Sequence, residues 1–119
     1  MIFRQLFQER FTLGIVDHEA VERRWLMDRI QLDHVSFREF SSLVDVLQNH
    51  QSAPLDILLV SLTGMENSSF EVLQNLRSEL PRSALILLDD FDDGRLSHLA
   101  SRVECQDVLL KGDLNAATL

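Results

Sequence analysis

One cysteine, Cys105, stands alone in the 119 residues, so no internal disulfide can form, and no Cys/His pair has the spacing of a zinc site. A buried, inert thiol is expected there. Basic side chains are also in the minority, 11 Lys and Arg against 19 Asp and Glu, for a formal net charge of −8. Phosphate backbones are bound by clustered Lys and Arg, so nucleic acid is not expected as a partner. Long apolar runs are missing too, none approaching the roughly 20 residues that a membrane-spanning helix needs. The N-terminal MIFRQLFQERF interrupts its apolar residues with Arg and Glu and lacks a small-residue cleavage site. Neither a membrane partner nor a secretory leader is read here, and a cytoplasmic location is expected. Proline and glycine number only 2 and 4, with no linker rich in them, which points to one domain with one core.

What is present is ordinary for a folded domain, 45% hydrophobic and 25% charged residues. Four short apolar runs stand out: LGIV (13–16), DILLV (56–60), ALILL (84–88) and VLL (108–110). They are continuous rather than alternating, the pattern of strands covered on both faces in a parallel sheet. A weaker run, HVSF (34–37), supplies a further strand, second in chain order. Segments of helical period lie between. Phe40, Leu43, Val44 and Leu47 fall at i, i+3, i+4 and i+7, and so do Leu96, Leu99, Ala100 and Val103. Leu26, Met27 and Ile30 mark a face within 19–32; Val72, Leu73, Leu76 and Leu80 mark another within 68–80, stopped by Pro81. The fold expected is α/β, a doubly wound five-stranded parallel sheet with strands at 12–16, 34–37, 56–61, 84–88 and 107–110. Ligands belong at the carboxyl ends of such strands.

Polar residues gather at those ends: Asp17 and His18, then Ser61, then Asp89 and Asp90, and finally Lys111. With them the chain resembles, over residues 12–114, the receiver domain of bacterial two-component response regulators. GIVDHE is similar to the family's first strand with its acidic pair, DILLVSL to the strand that bears the phospho-accepting aspartate, and SFEVLQNLR to the helix after it. ALILLDDFDD is similar to the strand end that bears a hydroxyl, and CQDVLLKG to the last strand with its lysine. The resemblance implies a flavodoxin-like receiver fold with strand order 2-1-3-4-5.

Taken residue by residue, the resemblance also implies a degenerate phosphorylation pocket at Asp17, His18, Ser61, Asp89 and Lys111. Asp17 matches the first Mg²⁺-holding carboxylate, but His18 stands where the second usually is, with Glu19 next to it as a partial substitute. Ser61 matches the phospho-acceptor, and a serine would give a stable ester instead of a labile acyl phosphate. Asp89 matches a Thr or Ser that would hold phosphoryl oxygens, and its carboxylate would repel them. Val108 replaces an aromatic residue. Lys111, with no phosphoryl group to meet, is expected to pair with Asp17 or Asp89.

Other readings of the same residues are weaker. Asp17, His18 and Ser61 invite a hydrolase triad, but LVSLTG lacks the G-x-S-x-G elbow, and adjacent residues tend to point apart. DDFDDG (89–94) lacks calcium-loop spacing and reads as a turn in which Asp92 or Asp93 caps the next helix. A flavin enzyme of this shape would want a Ser/Thr/Gly-rich loop where DHEAVERR stands. Trp25 and Phe37 are read as packing residues, and His34, His50 and His98 as histidines without a partner at ligand spacing.

The ends of the chain complete the reading. Residues 1–11 form an amphipathic extension with Phe3, Leu6 and Phe7 on its stripe, and 12–119 form the receiver-like domain, its last helix shortened to DLNAATL. KGDLNAATL resembles receivers whose last helix runs on toward a second module, such as a PAS sensor, diguanylate cyclase, phosphodiesterase or histidine kinase. Leu110, Leu114 and Leu119, together with Phe3, Leu6 and Phe7, are expected to form an interaction surface, for a protein partner or a second copy in a homodimer. The function expected is that of a phosphorylation-independent regulatory module, not an enzyme, with no cofactor and no metal. The alternative is a receiver-like domain still binding Mg²⁺ or a small ligand at Asp17 and Lys111.

Overall fold

The computed structural model describes residues 10–30, 32–52, 54–63, 65, 69–90, 94–103 and 105–115. Among these residues five strands, β1 (Phe11–Val16), β2 (Val35–Phe40), β3 (Ile57–Ser61), β4 (Ala84–Asp89) and β5 (Asp107–Leu110), alternate with four α-helices. These are α1 (Ala20–Arg29), α2 (Leu43–Asn49), α3 (Ser69–Glu79) and α4 (Arg95–Arg102). Every strand pair is parallel, in the order β2-β1-β3-β4-β5. Period two sorts the side chains of each strand onto two faces. Leu58 and Val60 of β3 enter a core with Val46, Leu73, Leu76 and Leu96, while Ile57 and Leu59 enter a second core with Leu26 and Ile30 of α1. A strand that fills two cores has no face left for polar residues, which is why its sequence is an unbroken apolar run.

Edge position explains where the expected boundaries fail. β2 runs on to Phe40, three residues past the expected end, because as an edge strand it tolerates Arg38 and Glu39, which broke the apolar pattern. Arg38 donates to the Asn49 carbonyl at 2.7 Å and to Ser52 Oγ at 2.8 Å, and Glu39 pairs with Arg23 at 3.1 Å. Phe40 therefore closes a strand instead of opening a helical stripe. The turn after it is capped reciprocally: Ser42 Oγ accepts from the Asp45 amide at 3.0 Å, and Asp45 Oδ2 accepts from the Ser41 amide at 3.0 Å. This cap starts α2 at Leu43 and turns Leu43 and Val46 inward, leaving Val44 half-exposed. His34 lies outside β2 in the left-handed region, φ 68°.

Trp25 and His50 also depart from the sequence pattern. The residue before α4 is Gly94, with φ 93° and no side chain to cap the helix; Asp92 and Asp93, expected as caps, lie outside the described residues. Trp25 is 39% exposed, with the Arg29 guanidinium 4.8 Å from its ring centroid, and so is not a core residue, whereas Phe37 packs against the α1-side core. His50 faces Glu79 across α2 and α3 at 3.8 Å. Cys105 is half-buried; burial first, then Asp107, pushes its thiol above the usual range against the opposing pull of Arg77, and this keeps it protonated and weakly nucleophilic.

The end of the chain corrects the expected interaction surface. Leu114 is 0% exposed, packed with Phe11, Leu13, Ile15 and Leu26, and Leu110 is half-buried against the opposite core. Arg29 holds the segment in place, donating to the Leu114 carbonyl at 2.7 Å and to the Gly112 carbonyl at 2.8 Å. A single leucine brought down by an arginine covers apolar surface that was expected to be bare. Phe3, Leu6, Phe7 and Leu119 lie outside the described residues. Leu114→Ala is expected to destabilise the fold by about 2–3 kcal/mol, read from the urea midpoint at unchanged slope. A change within experimental error would return Leu114 to the surface.

Candidate functional site

The site lies at the carboxyl ends of β1, β3, β4 and β5, where each strand gives way to a polar residue. Asp17 follows β1 and is 2% exposed. Its amide donates to the Phe40 carbonyl at 3.1 Å, its Oδ1 accepts from the Glu19 amide at 3.0 Å, and its carbonyl accepts from Arg23 at 2.7 Å. Backbone and side chain are thus both fixed at the turn into α1. Lys111, at the end of β5, reaches back with its Nζ 3.3 Å from Asp17 Oδ2, 3.1 Å from Glu22 Oε1 and 3.6 Å from Asp90 Oδ1. It is the only lysine in the chain, and it is 3% exposed.

Burial works to strip the Lys111 proton, but the hydrogen bond that the ammonium donates to Glu22 and the charges of Asp17, Asp90 and Glu22 outweigh it. The ammonium is held above the ordinary lysine range. Of its two expected partners, Asp17 is found and Asp89 is not. Asp89 closes β4 with its Oδ1 accepting from the Asp90 amide at 2.8 Å. Successive residues at a strand end point to opposite sides, so it is Asp90 that meets the lysine. Glu22 and Asp90 are the members that the sequence reading missed. Glu22 falls on the first turn of α1, which the sequence marks only by the apolar face of Leu26, Met27 and Ile30, and of the Asp89–Asp90 pair only Asp89 was assigned to the lysine.

Ser61 ends β3 in register with Leu88 of β4 and is 1% exposed. Its Oγ is a buried side-chain oxygen without a hydrogen-bond partner among the described residues. Ser61, Asp17 and His18 line one cleft together, so the structure does bring these three expected residues to one place. His18 is largely exposed, with Nδ1 3.5 Å from Asp17 Oδ1 and Nε2 3.3 Å from Glu19 Oε1. As a Mg²⁺ site this set fits poorly. A hard cation needs several oxygen donors, and here a hydroxyl and an imidazole stand beside a single carboxylate already bonded to an ammonium. Among the described residues no base is hydrogen-bonded to Ser61 Oγ, the pairing by which a serine nucleophile is activated.

No protein-family model and no curated protein matches the sequence. Solved structures match on the fold. A response regulator from Thermotoga maritima superposes with a TM-score of 0.75 at 15% identity, over 92% of this chain and 90% of that one. The signal receiver domain of an HD domain-containing protein from Pseudomonas fluorescens Pf-5 gives 0.73 at 19% identity, over 87% and 83%. The Vibrio cholerae chemotaxis protein CheY4 gives 0.70 at 17% identity, over 92% and 92%. Identities this low establish architecture: the five-stranded parallel sheet in order 2-1-3-4-5 is the flavodoxin-like receiver fold.

Proposed function

We propose that this receiver-fold chain is a signalling module of a bacterial two-component system that acts by binding a protein partner, without phosphoryl transfer and without catalysis of its own. The observation that carries this reading is Ser61: the end of β3, where the resemblance expects an acceptor carboxylate, holds a buried hydroxyl with no base bonded to it among the described residues. Two neighbours support it. Position 89, where the resemblance expects a hydroxyl to hold phosphoryl oxygens, is an aspartate turned onto the Asp90 amide, and Lys111 is engaged by Asp17, Glu22 and Asp90. A lysine tied to three carboxylates is not free to meet a phosphoryl group, which supports signalling by binding. The partner we favour is an output domain in the same protein, of the PAS, diguanylate cyclase, phosphodiesterase or kinase kinds. The Pseudomonas relative, a receiver domain of an HD domain-containing protein, is an instance of that arrangement.

Intact mass tests the reading directly. After incubation with acetyl phosphate and Mg²⁺ the chain is expected to keep its mass. A gain of one phosphoryl group that maps to residue 61 would overturn the proposal.

A further inference from the structure

Beside the lysine cluster, between the ends of β1, β2 and β3 and the first turn of α2, lies a cleft of about 300 Å³. That is the small end of the range for organic ligands. Its walls are mainly apolar, from Val16, Leu43 and Val72, with the half-exposed Val44 also on its lining. Ser61 is part of the lining too. A buried hydroxyl left without a partner is unfavourable, and a polar group placed in the cleft would relieve it. Among the described residues no hydrogen bond holds the Ser61 rotamer, so its hydroxyl can turn toward such a group. Ser42 adds a second hydroxyl, whose oxygen already accepts from the Asp45 amide and whose proton remains to be donated.

Charge on the lining decides what kind of molecule belongs there. On the cleft lining the acid is Asp17, bonded to Lys111 and to the Glu19 amide, while Glu22 and Asp90, which carry the cluster's excess negative charge, are not part of the lining. Lys111 is committed to three carboxylates, and His18 lies between Asp17 and Glu19, so no spare positive charge awaits an anion. We propose that the cleft binds a neutral, ring-sized organic molecule, with a carbonyl or hydroxyl group on Ser61 and its apolar body against Val16, Leu43 and Val72. This deepens the phosphorylation-independent reading on which it rests: occupancy of the cleft becomes the input that phosphoryl transfer supplies in other receivers.

The test is an NMR titration of the ¹⁵N-labelled chain with 1-indanone, a neutral fused-ring ketone, with benzoate and benzylammonium as charged controls. Saturable shifts are expected at the amides of Val16, Leu62 and Val72, with both charged probes weaker by about tenfold or more. Ser61→Ala is expected to weaken indanone binding about 5- to 10-fold, the loss of one hydrogen bond. Val44→Trp, at a half-exposed position that does not endanger the fold, is expected to narrow the cleft and abolish binding. Absence of saturable shifts, shifts confined to another surface, equal binding of a charged probe, or an affinity unmoved by both substitutions would each overturn the inference. Phosphoryl uptake is read by mass on the unliganded chain, so failure of the cleft and failure of the signalling reading remain separate results.

Discussion

Lys111→Met is expected to destabilise the fold by about 3–5 kcal/mol, the size of effect seen when one partner of a buried ion pair is removed. The loss comes from what stays behind. Asp17 is buried, with one oxygen on the Glu19 amide and the other facing the empty place of the ammonium. Glu22 and Asp90 have more access to water and contribute less to that penalty. Adding Asp17→Asn to Lys111→Met removes the stranded charge and is expected to recover much of the loss. Urea unfolding of the two single variants and the double variant measures the coupling. A single variant within about 1 kcal/mol of the parent, or a double variant no better than Lys111→Met, would show that the pair is not energetically coupled as described.

The same lysine sets an alkaline limit. Its folded-state pKa is raised above the unfolded value of about 10.4, so its stabilisation is fully present below that pH and is lost as pH rises through the higher folded value. The chain has no tyrosine and no second lysine, so apart from Cys105 and the terminal amine no group should titrate in that window. In a Cys105→Ser background, stability should hold from neutral pH to about 10 and then fall, and the fall should be absent once Lys111 is methionine.

Ser61→Asp by itself is expected to take up no phosphoryl group from acetyl phosphate and Mg²⁺. Returning the acceptor still leaves an imidazole at position 18, where a second metal-binding carboxylate is needed, and no hydroxyl at position 89 to hold phosphoryl oxygens. The new aspartate would also add a fourth carboxylate to the neighbourhood of one ammonium. Combining Ser61→Asp with His18→Asp and Asp89→Thr is expected to change the outcome from no uptake to one acid-stable, hydroxylamine-labile phosphoryl group per chain. Strong labelling of the single variant would show that His18 and Asp89 matter little. A silent triple variant would place the obstacle in the Lys111 cluster instead.

Much of this protein was determined by its sequence alone. Strands that fill two cores must be apolar along most of their length, so β1, β3 and β4 could be read from composition in short windows, as could the short apolar run of the other edge strand, β5, and their carboxyl ends from the first polar residue after each run. Asp17, His18, Ser61 and Lys111 were identified in this way. Tertiary structure decided what a one-dimensional pattern cannot carry. β2 kept Arg38 and Glu39 because an edge strand has water on one side, so its length depends on its neighbours and not on its own residues. Glu22 and Asp90 became partners of Lys111 because strand alternation and the entry angle of α1 aim them there, while Asp89, equally acidic, is turned away. Leu114 is core and not surface because Arg29, 85 residues earlier, hydrogen-bonds its carbonyl and draws the chain end over the sheet. Burial is a property of the whole surface that closes over a residue, and in this chain that closure is long-range.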